Sequence, residues 1–222
     1  MPGGSDKDSI SQYYDRRAQE YEDIYMRDDL GRREEMEAIS EQMRRTLLDR
    51  SVLEIACGTG FWTEKLAPYT GHIVAIDTSF EMLKIARNKP IDPRKVEFKL
   101  GDAYALDSIL GDFDGGLANF WFSHVPRVWV KKFLLWFHVR LERGSRVFMA
   151  DNVYVQGMGG KLSVKPGCDD TFKLRTLSDG SKHEVLKNYY TEAELERIFK
   201  PMAKDLEIRL GRCFWWVSYE VL

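Results

Sequence analysis

The sequence predicts an α/β fold, a doubly wound and mostly parallel sheet in a single domain. Strand-like apolar runs alternate with helical patterns from Ser51 to Ala150, an order that places helices on both faces of a parallel sheet. The first run, Val52–Ala56, breaks at once into a Gly-rich turn and a helical pattern, as happens at the ligand-binding edge of such sheets. The length of 222 residues suits one domain of this kind.

Residues 1–50 precede the sheet, and we expect them to form a helical lid. A helix is predicted from Ile10 to Tyr25, with an aromatic side because four residues recur at helical spacing: Tyr14, Ala18, Tyr21 and Tyr25. A second helix is predicted over Leu30–Asp49. Simple packing of the first helix against the domain is the alternative to a lid that covers a ligand.

Five strands and three helices are predicted between residues 51 and 150, from apolar runs bounded by turn-forming residues. The predicted strands are Ser51–Ala56, His72–Ile76, Val96–Leu100, Phe113–Asn119 and Arg146–Ala150. The predicted helices are Phe61–Ala67, Ser79–Asn88 and Arg127–Arg143.

The pattern changes after the fifth strand, and residues 152–190 are predicted to form an insertion on the substrate side of the domain. The Gly-rich stretch Gly157–Gly160 and the pair Pro166-Gly167 indicate loop. Phe172–Leu177 and His183–Tyr190 are predicted to pair as a small hairpin.

The last 32 residues return to the sheet. Thr191 and Glu194 have the spacing of a capping box, which predicts the start of a helix that runs to Phe199. Two closing strands, Asp205–Leu210 and Phe214–Val221, are predicted to form an antiparallel edge. Residues 1–222 are therefore expected to form one domain.

Composition argues against several classes of function. The 33 basic and 35 acidic residues leave a net charge of −2, without the basic excess typical of nucleic-acid-binding proteins. No apolar run reaches the roughly 18 residues that a membrane span requires. Cys57, Cys168 and Cys213 are too far apart in sequence for a zinc motif and do not suggest a disulfide framework. We therefore expect a cytoplasmic protein with no metal and with neither a nucleic-acid nor a membrane partner.

The ends of the first three strands indicate a nucleoside ligand. The phosphate loop is absent, and the dinucleotide fingerprint G-x-G-x-x-G lacks its third glycine, because Thr63 follows Gly58 and Gly60. Asp77 ends the second strand, where a carboxylate can accept both hydroxyls of a ribose. Asp102 ends the third strand, where a carboxylate can accept the amino group of an adenine.

Together with Glu54, this arrangement resembles the first motif, E/D-x-G-x-G-x-G, of class I S-adenosylmethionine-dependent methyltransferases. The motif here runs from Glu54 to Gly60, with Ala56 at the position of the first glycine, a replacement that the family tolerates. A carboxylate inside an apolar strand is costly unless it is paired or serves a ligand. Tyr14–Tyr21 resembles the N-terminal segment that folds over the cofactor in small-molecule members, and Phe113–Asn119 matches the fourth motif.

The resemblance covers nearly the whole chain and implies a Rossmann-like sheet of seven strands with an antiparallel last strand. It implies S-adenosylmethionine as cofactor and S-adenosylhomocysteine as product. The residues implied to bind the cofactor lie in the N-terminal segment, the Gly-rich turn and the following strand ends: Tyr14, Tyr21, Glu54, Ala56, Cys57, Gly58, Gly60, Trp62, Asp77, Thr78, Met82, Asp102, Ala103, Asn119 and Phe120.

Within that family, three further segments are similar to the phosphonate O-methyltransferases of the dehydrophos type. These are Phe120–Pro126, the turn Arg175–Gly180 and Lys187. The similarity implies relatedness more than a shared substrate, because substrate pockets diverge on a common fold.

Two kinds of acceptor are consistent with the candidate substrate residues. A phenol, alcohol or ammonium acceptor must lose a proton, which His124 could take as a general base, although a buried histidine held by backbone is the alternative. A carboxylate or phosphonate is already an anion and needs cations instead, which Arg17, Arg175 and Lys187 could supply. Tyr25 is the fourth candidate substrate residue. Ordinary solvated charges are the alternative interpretation for Arg175 and Lys187.

We therefore expect a small-molecule methyltransferase that prefers an oxygen acceptor and acts as a monomer or homodimer. A small-molecule N-methyltransferase is one alternative, and a non-catalytic S-adenosylmethionine-binding protein is another. The fourth strand ends in Ala118-Asn119-Phe120-Trp121, without the Asn-Pro-Pro-Tyr-like tetrad of enzymes that methylate amino groups of nucleic acids.

Overall fold

A seven-stranded sheet forms the centre of the computed structural model, which describes residues 13–24, 29–156 and 161–222. Its strands are β1 (Ser51–Ile55), β2 (His72–Asp77), β3 (Val96–Leu100), β4 (Gly115–Asn119), β5 (Arg146–Asn152), β9 (Ala203–Leu210) and β10 (Phe214–Val221); β6 to β8 belong to the insertion. The strand order is β3-β2-β1-β4-β5-β10-β9. Strands β1 to β5 pair in parallel and β10 pairs antiparallel with both neighbours, which confirms the predicted fold class.

Helices cover both faces of this sheet. They are α1 (Leu30–Leu47), α2 (Phe61–Leu66), α3 (Phe80–Arg87), α4 (Val130–Val139) and α5 (Glu192–Phe199). Two buried apolar clusters lie between the sheet and these helices, one on each face. The strand order reverses at β1, between β2 and β4, so a crevice opens at the carboxyl ends of these strands. Of the helices in the described part of the chain, none combines the length and apolar character needed to cross a membrane.

Helix α1 belongs to the helical layer of the domain. It begins after Asp29, whose side chain accepts a hydrogen bond from the Arg32 amide at 3.1 Å. Ile39, Met43 and Leu47 are fully buried in the cluster that packs on the sheet. Of the predicted lid at residues 1–50, the described part that lies over the crevice is therefore residues 13–24. This N-terminal segment is helical at 13–17 and continues as a 3₁₀ helix over Ala18–Ile24.

The helix predicted over Arg127–Arg143 is shorter in the structure. Pro126 precedes a 3₁₀ turn at Arg127–Trp129, and the α-helix itself covers only Val130–Val139. The chain then turns toward β5 through Gly144, which has a φ of +82°. The predicted capping box of α5 is present.

The insertion is a three-stranded antiparallel sheet, where the sequence predicts a hairpin. Its strands are β6 (Leu162–Val164), β7 (Thr171–Thr176) and β8 (Lys182–Leu186), in the order β6-β7-β8. Strand β8 ends before the predicted Tyr190 because the chain turns back to the central domain, where the Asn188 amide donates to the Ser123 carbonyl at 2.8 Å.

The turn after β1 contains one non-glycine residue in a left-handed conformation. Ala56 has a φ of +52°, which costs an L-residue roughly 1–2 kcal/mol. We expect Ala56→Gly to raise the free energy of unfolding by about 0.5–1 kcal/mol, because glycine removes this strain but loses more backbone entropy on folding. Urea denaturation measures the change. A lower midpoint for the variant would show that Ala56 is not strained in solution.

Candidate active site

The Gly-rich turn lies at the carboxyl end of β1, between β2 and β4. The Cys57 amide donates to the Ile76 carbonyl at 2.9 Å, and the Gly60 amide to the Cys57 carbonyl at 3.0 Å. Gly60 has a φ of +74° and directly precedes α2. Trp62, on that helix, stacks on Phe120 from the end of β4, with ring centroids 5.6 Å apart. The turn therefore presents backbone at the edge where parallel sheets bind ligands.

Asp77, at the end of β2, holds this turn in place. One carboxylate oxygen accepts from the Gly58 amide and the other from the Ser79 amide, both at 2.8 Å. Burial raises the pKa of Asp77 and these amide donors oppose the shift. Each carboxylate oxygen can accept more than one hydrogen bond, so the side chain retains acceptor capacity for a ligand hydroxyl.

Glu54 is buried inside β1 and contacts Thr63 on α2. The Thr63 hydroxyl donates to a Glu54 carboxyl oxygen at 2.7 Å. Burial raises the pKa of Glu54 to about 8, the Thr63 hydrogen bond opposes the shift, and the charge of Asp77 adds to it. Sequence reasoning treated Thr63 only as the residue that replaces a third glycine, and so missed its role as the partner of Glu54.

We expect Glu54→Gln to weaken the pH dependence of stability between about pH 5 and 8. In the wild type the folded state keeps a proton on Glu54 up to about pH 8, whereas the unfolded state loses it near pH 4.5. The unfolding free energy therefore falls as pH rises through this window, by about 1.4 kcal/mol per pH unit. Urea denaturation at a series of pH values measures the slope. Equal slopes in the two proteins would contradict the raised pKa.

The other predicted cofactor residues lie along the same edge of the sheet. Asp102 accepts from the Tyr104 amide at 2.8 Å in the turn after β3, beside the buried Ala103. Thr78 directly precedes Ser79, the N-cap of α3, and the Met82 amide donates to the Ser79 hydroxyl. Asn119 ends β4. The oxygen of its side-chain amide, Oδ1, is buried and has no hydrogen-bond partner among the described residues. An unsatisfied buried acceptor at this edge fits a ligand that brings its own donor.

The N-terminal segment docks on the Gly-rich turn through polar contacts. Glu22 accepts from the Thr59 hydroxyl at 2.6 Å and lies 3.0 Å from the Lys89 ammonium. Asp15 accepts from the Ser79 hydroxyl. The Tyr21 ring lies against Gly58, where an added Cβ would be 3.7 Å from it. Residues 13–24 thus cover the edge that carries the predicted cofactor residues.

A cavity lies between the N-terminal segment, the end of β4 and the insertion. Five cationic side chains line it: Arg17, Arg32, Lys173, Arg175 and Lys187. The rings that line it are those of Tyr13, Tyr14, Tyr21, Phe120, His124 and Tyr189. No aspartate or glutamate is among the lining residues that the structure describes. The cavity is therefore strongly cationic and suited to an anion.

Three predicted substrate residues, Arg17, Arg175 and Lys187, line this cavity, and the fourth, Tyr25, lies outside the described residues. Arg32 and Lys173 were missed by sequence reasoning. Lys173 had a signal, because it is two residues before Arg175 in a strand and so shares its face. No sequence signal pointed to Arg32, because the first turn of a charged helix is usually solvated.

Lys187 forms a buried ion pair with Asp151 at the end of β5. Its ammonium donates to Asp151 at 2.9 Å and to the Ser123 hydroxyl at 2.6 Å. Burial acts to raise the pKa of Asp151, but the charge of Lys187 and the amides of Ser123 and Asn152 outweigh it, so the pKa is lowered. The pair fastens the insertion to the central sheet and leaves one ammonium hydrogen of Lys187 for the cavity.

His124 is held by hydrogen bonds at both ring nitrogens. Nδ1 lies 2.8 Å from the Leu186 carbonyl, which only accepts, so Nδ1 carries the proton. Nε2 lies 3.0 Å from the Tyr14 hydroxyl and accepts its hydrogen. Burial and then the charge of Lys187 lower the pKa of His124 to about 3. The ring is therefore neutral at physiological pH, and Tyr14 occupies the nitrogen that a general base would use.

Comparison with known families agrees with the sequence motifs. A family model described as a methyltransferase domain matches residues 52–144. The demethylmenaquinone methyltransferase of Lactococcus lactis subsp. lactis is 40% identical over 70 residues, which make up 29% of this chain and 27% of that protein. The chain thus spans about a third or less of the length of the curated relatives that it matches.

Solved structures share the fold over almost the whole chain. The structure described as a DhpI–SAM–HEP complex has a TM-score of 0.77 at 21% identity, over 98% of this chain and 99% of that one. The DhpI–SAH complex has a TM-score of 0.75 at 24% identity, over 95% and 94%. These structures show that the chain has the fold expected from its motifs, and the family match shows a methyltransferase domain over residues 52–144.

Proposed function

We propose that this chain transfers a methyl group from S-adenosylmethionine to an oxyanion of a small molecule. It has the class I methyltransferase fold, and residues 52–144 match a methyltransferase domain. The observation that carries the choice of acceptor is the cavity beside the Gly-rich turn, with five cations and no carboxylate among its described lining residues. An oxyanion is bound well by such a surface, whereas the ammonium form of an amine acceptor is repelled.

The residues along the sheet edge fit the cofactor. Asp77 and Asp102 stand at the ends of neighbouring strands, where they would hold the ribose hydroxyls and the adenine amino group. Asn119, whose side-chain Oδ1 is unsatisfied among the described residues, and the turn Gly58–Gly60 lie at the carboxyl ends of β4 and β1. Relatives whose structures are described with SAM or SAH support this choice of ligand.

The chain's own residues would act by alignment and exclusion of water. When bound, the cofactor supplies a methyl group on a sulfonium, whose S–C bond breaks as an O–C bond forms and whose electron pair stays on sulfur. An oxyanion needs no base, which agrees with a His124 ring whose Nε2 is hydrogen-bonded to Tyr14 and whose pKa burial lowers to about 3. Arg17, Lys173 and Arg175 would orient the oxyanion, and the N-terminal segment would close over both ligands.

We also place the protein in the cytoplasm. Cys57, Cys168 and Cys213 are all unpaired, as is usual in a reducing compartment.

Isothermal titration with S-adenosylhomocysteine tests the cofactor site. We expect saturable binding by the wild type, at least tenfold weaker binding by Asp77→Ala, and unchanged binding by the exposed control Asp112→Ala. Asp77→Asn serves as a second variant, because it keeps an acceptor for the turn. No saturable heat with the folded wild type would refute the proposed function. Wild-type affinity in Asp77→Ala would refute only the role of Asp77.

A further inference from the structure

The cationic cavity and the predicted cofactor edge are parts of one space. Phe120 and His124 line the cavity; Phe120 follows β4 directly, and His124 ends the 3₁₀ turn Phe122–His124 that comes next. Tyr21 lines the cavity and packs on Gly58 of the turn. A cofactor bound at the turn would therefore lie next to the cationic cavity.

Of the nearby carboxylates, Asp151 offsets the charge of Lys187, and Glu22 and Asp15 face the Gly-rich turn. Asp151 is fully buried behind the wall and is paired with Lys187 at 2.9 Å. Glu22 contacts Thr59 and Lys89, and Asp15 contacts Ser79, so both face the turn. Among the groups that line the cavity in the described ranges, every formal charge at neutral pH is positive.

We propose that the cavity is an anion site whose occupation is coupled to the charge of the cofactor, so that an oxyanion strengthens binding of the cationic methyl donor but not of its neutral thioether product. The inference rests on the proposed function and deepens it by adding a rule for how the two ligands affect one another. The sulfonium is repelled by the empty cavity and attracted by the filled one. Because linkage is reciprocal, the cationic donor would strengthen anion binding by the same factor.

The charges of the reaction make this coupling useful. Before transfer the donor is a cation and the acceptor an anion, and each favours binding of the other. After transfer the O–C bond has removed one negative charge from the acceptor, and the electron pair has made the sulfur neutral. The attraction between the two ligands is then lost in the same step, which favours release of both products.

The cavity walls already show the repulsion that this inference requires. Lys173 and Arg175 share one face of β7, and Lys187 follows β8, which pairs with β7. Burial, with the charges of Arg175 and Lys187, lowers the pKa of Lys173 to about 8. A bound anion would relieve the strain of confining these like charges.

The proposal is tested by calorimetric titration with S-adenosylmethionine and with S-adenosylhomocysteine. Each titration is run with and without inorganic phosphate at constant ionic strength. We expect phosphate to lower the Kd of S-adenosylmethionine about tenfold and the Kd of S-adenosylhomocysteine by less than about twofold. An equal effect on both ligands, or none, would overturn the coupling and leave the proposed function standing. Failure of both ligands to bind under either condition would overturn the proposed function and the coupling together.

Variants separate the anion site from a general salt effect. The double variant Lys173→Met, Arg175→Met should bind S-adenosylmethionine more tightly than the wild type when phosphate is absent, and should lose the phosphate effect. Lys182→Met is the matched control, since Lys182 is exposed on β8 and does not line the cavity. Retention of the full phosphate effect in the double variant would overturn the assignment of the site.

Discussion

Lys187→Met is expected to lower the free energy of unfolding by about 3–5 kcal/mol. Lys187 is 5% exposed and its partner Asp151 is fully buried, so the variant leaves an uncompensated carboxylate in the interior. It also removes the hydrogen bond to Ser123 and loosens the insertion from β5. Urea denaturation followed by circular dichroism measures the loss.

The double variant Asp151→Asn, Lys187→Met is the control for this effect. It removes both charges, so we expect it to be more stable than Lys187→Met alone, even though it has lost one more charged group. If the double variant is instead less stable than Lys187→Met alone, the unpaired carboxylate of Asp151 is not the cause of the loss and the first prediction is wrong.

Replacing Lys173 and Arg175 together by Met is expected to lower kcat/KM for an anionic acceptor by about 10²–10⁴-fold. Each side chain would donate charge-assisted hydrogen bonds to the oxyanion, and each such bond contributes about 1.5–3 kcal/mol. Affinity for S-adenosylhomocysteine should stay within about twofold, because that ligand carries no sulfonium charge. Steady-state transfer of a labelled methyl group measures the first effect, and calorimetry measures the second.

Lys182→Met, on the outer side of the same small sheet, should retain wild-type kinetics. A double variant with wild-type kcat/KM for anions would show that the cationic cavity is not the acceptor site. A parallel loss of S-adenosylhomocysteine affinity would show that the two cations act on the cofactor or on folding.

The central sheet was predictable because its strands are short apolar runs that end at acids and glycines. In β1 and β2 nearly every residue is buried, so the hydrophobic run alone marks the strand. Strand β6 was not predictable in this way, because it is three residues long, leaves Ser163 and Val164 exposed, and depends on pairing with β7. The early end of α4 at Val139 was likewise not marked by the local helical pattern, which continues to Arg143.

Candidate site residues could be predicted where the sequence places a carboxylate at the end of a predicted strand. Asp77 and Asp102 lie where the motif spacing places them. Contacts between distant segments were not predictable: the Thr63 partner of Glu54, the Tyr14 hydrogen bond to His124, and the docking of Glu22 on Thr59. These contacts join residues that only the tertiary fold brings together. The role of His124 as a general base stays a prediction, and the fold adds that its Nε2 is hydrogen-bonded to Tyr14.

Transfer of labelled methyl groups to a matched set of acceptors tests the central claim most directly. The set has one carbon skeleton that carries a carboxylate, a phosphonate, an alcohol or an amine, and S-adenosylmethionine is the donor. We predict that label enters the oxyanions, at least a hundredfold more efficiently than the neutral alcohol or the amine. Preferential methylation of the alcohol or the amine would contradict it.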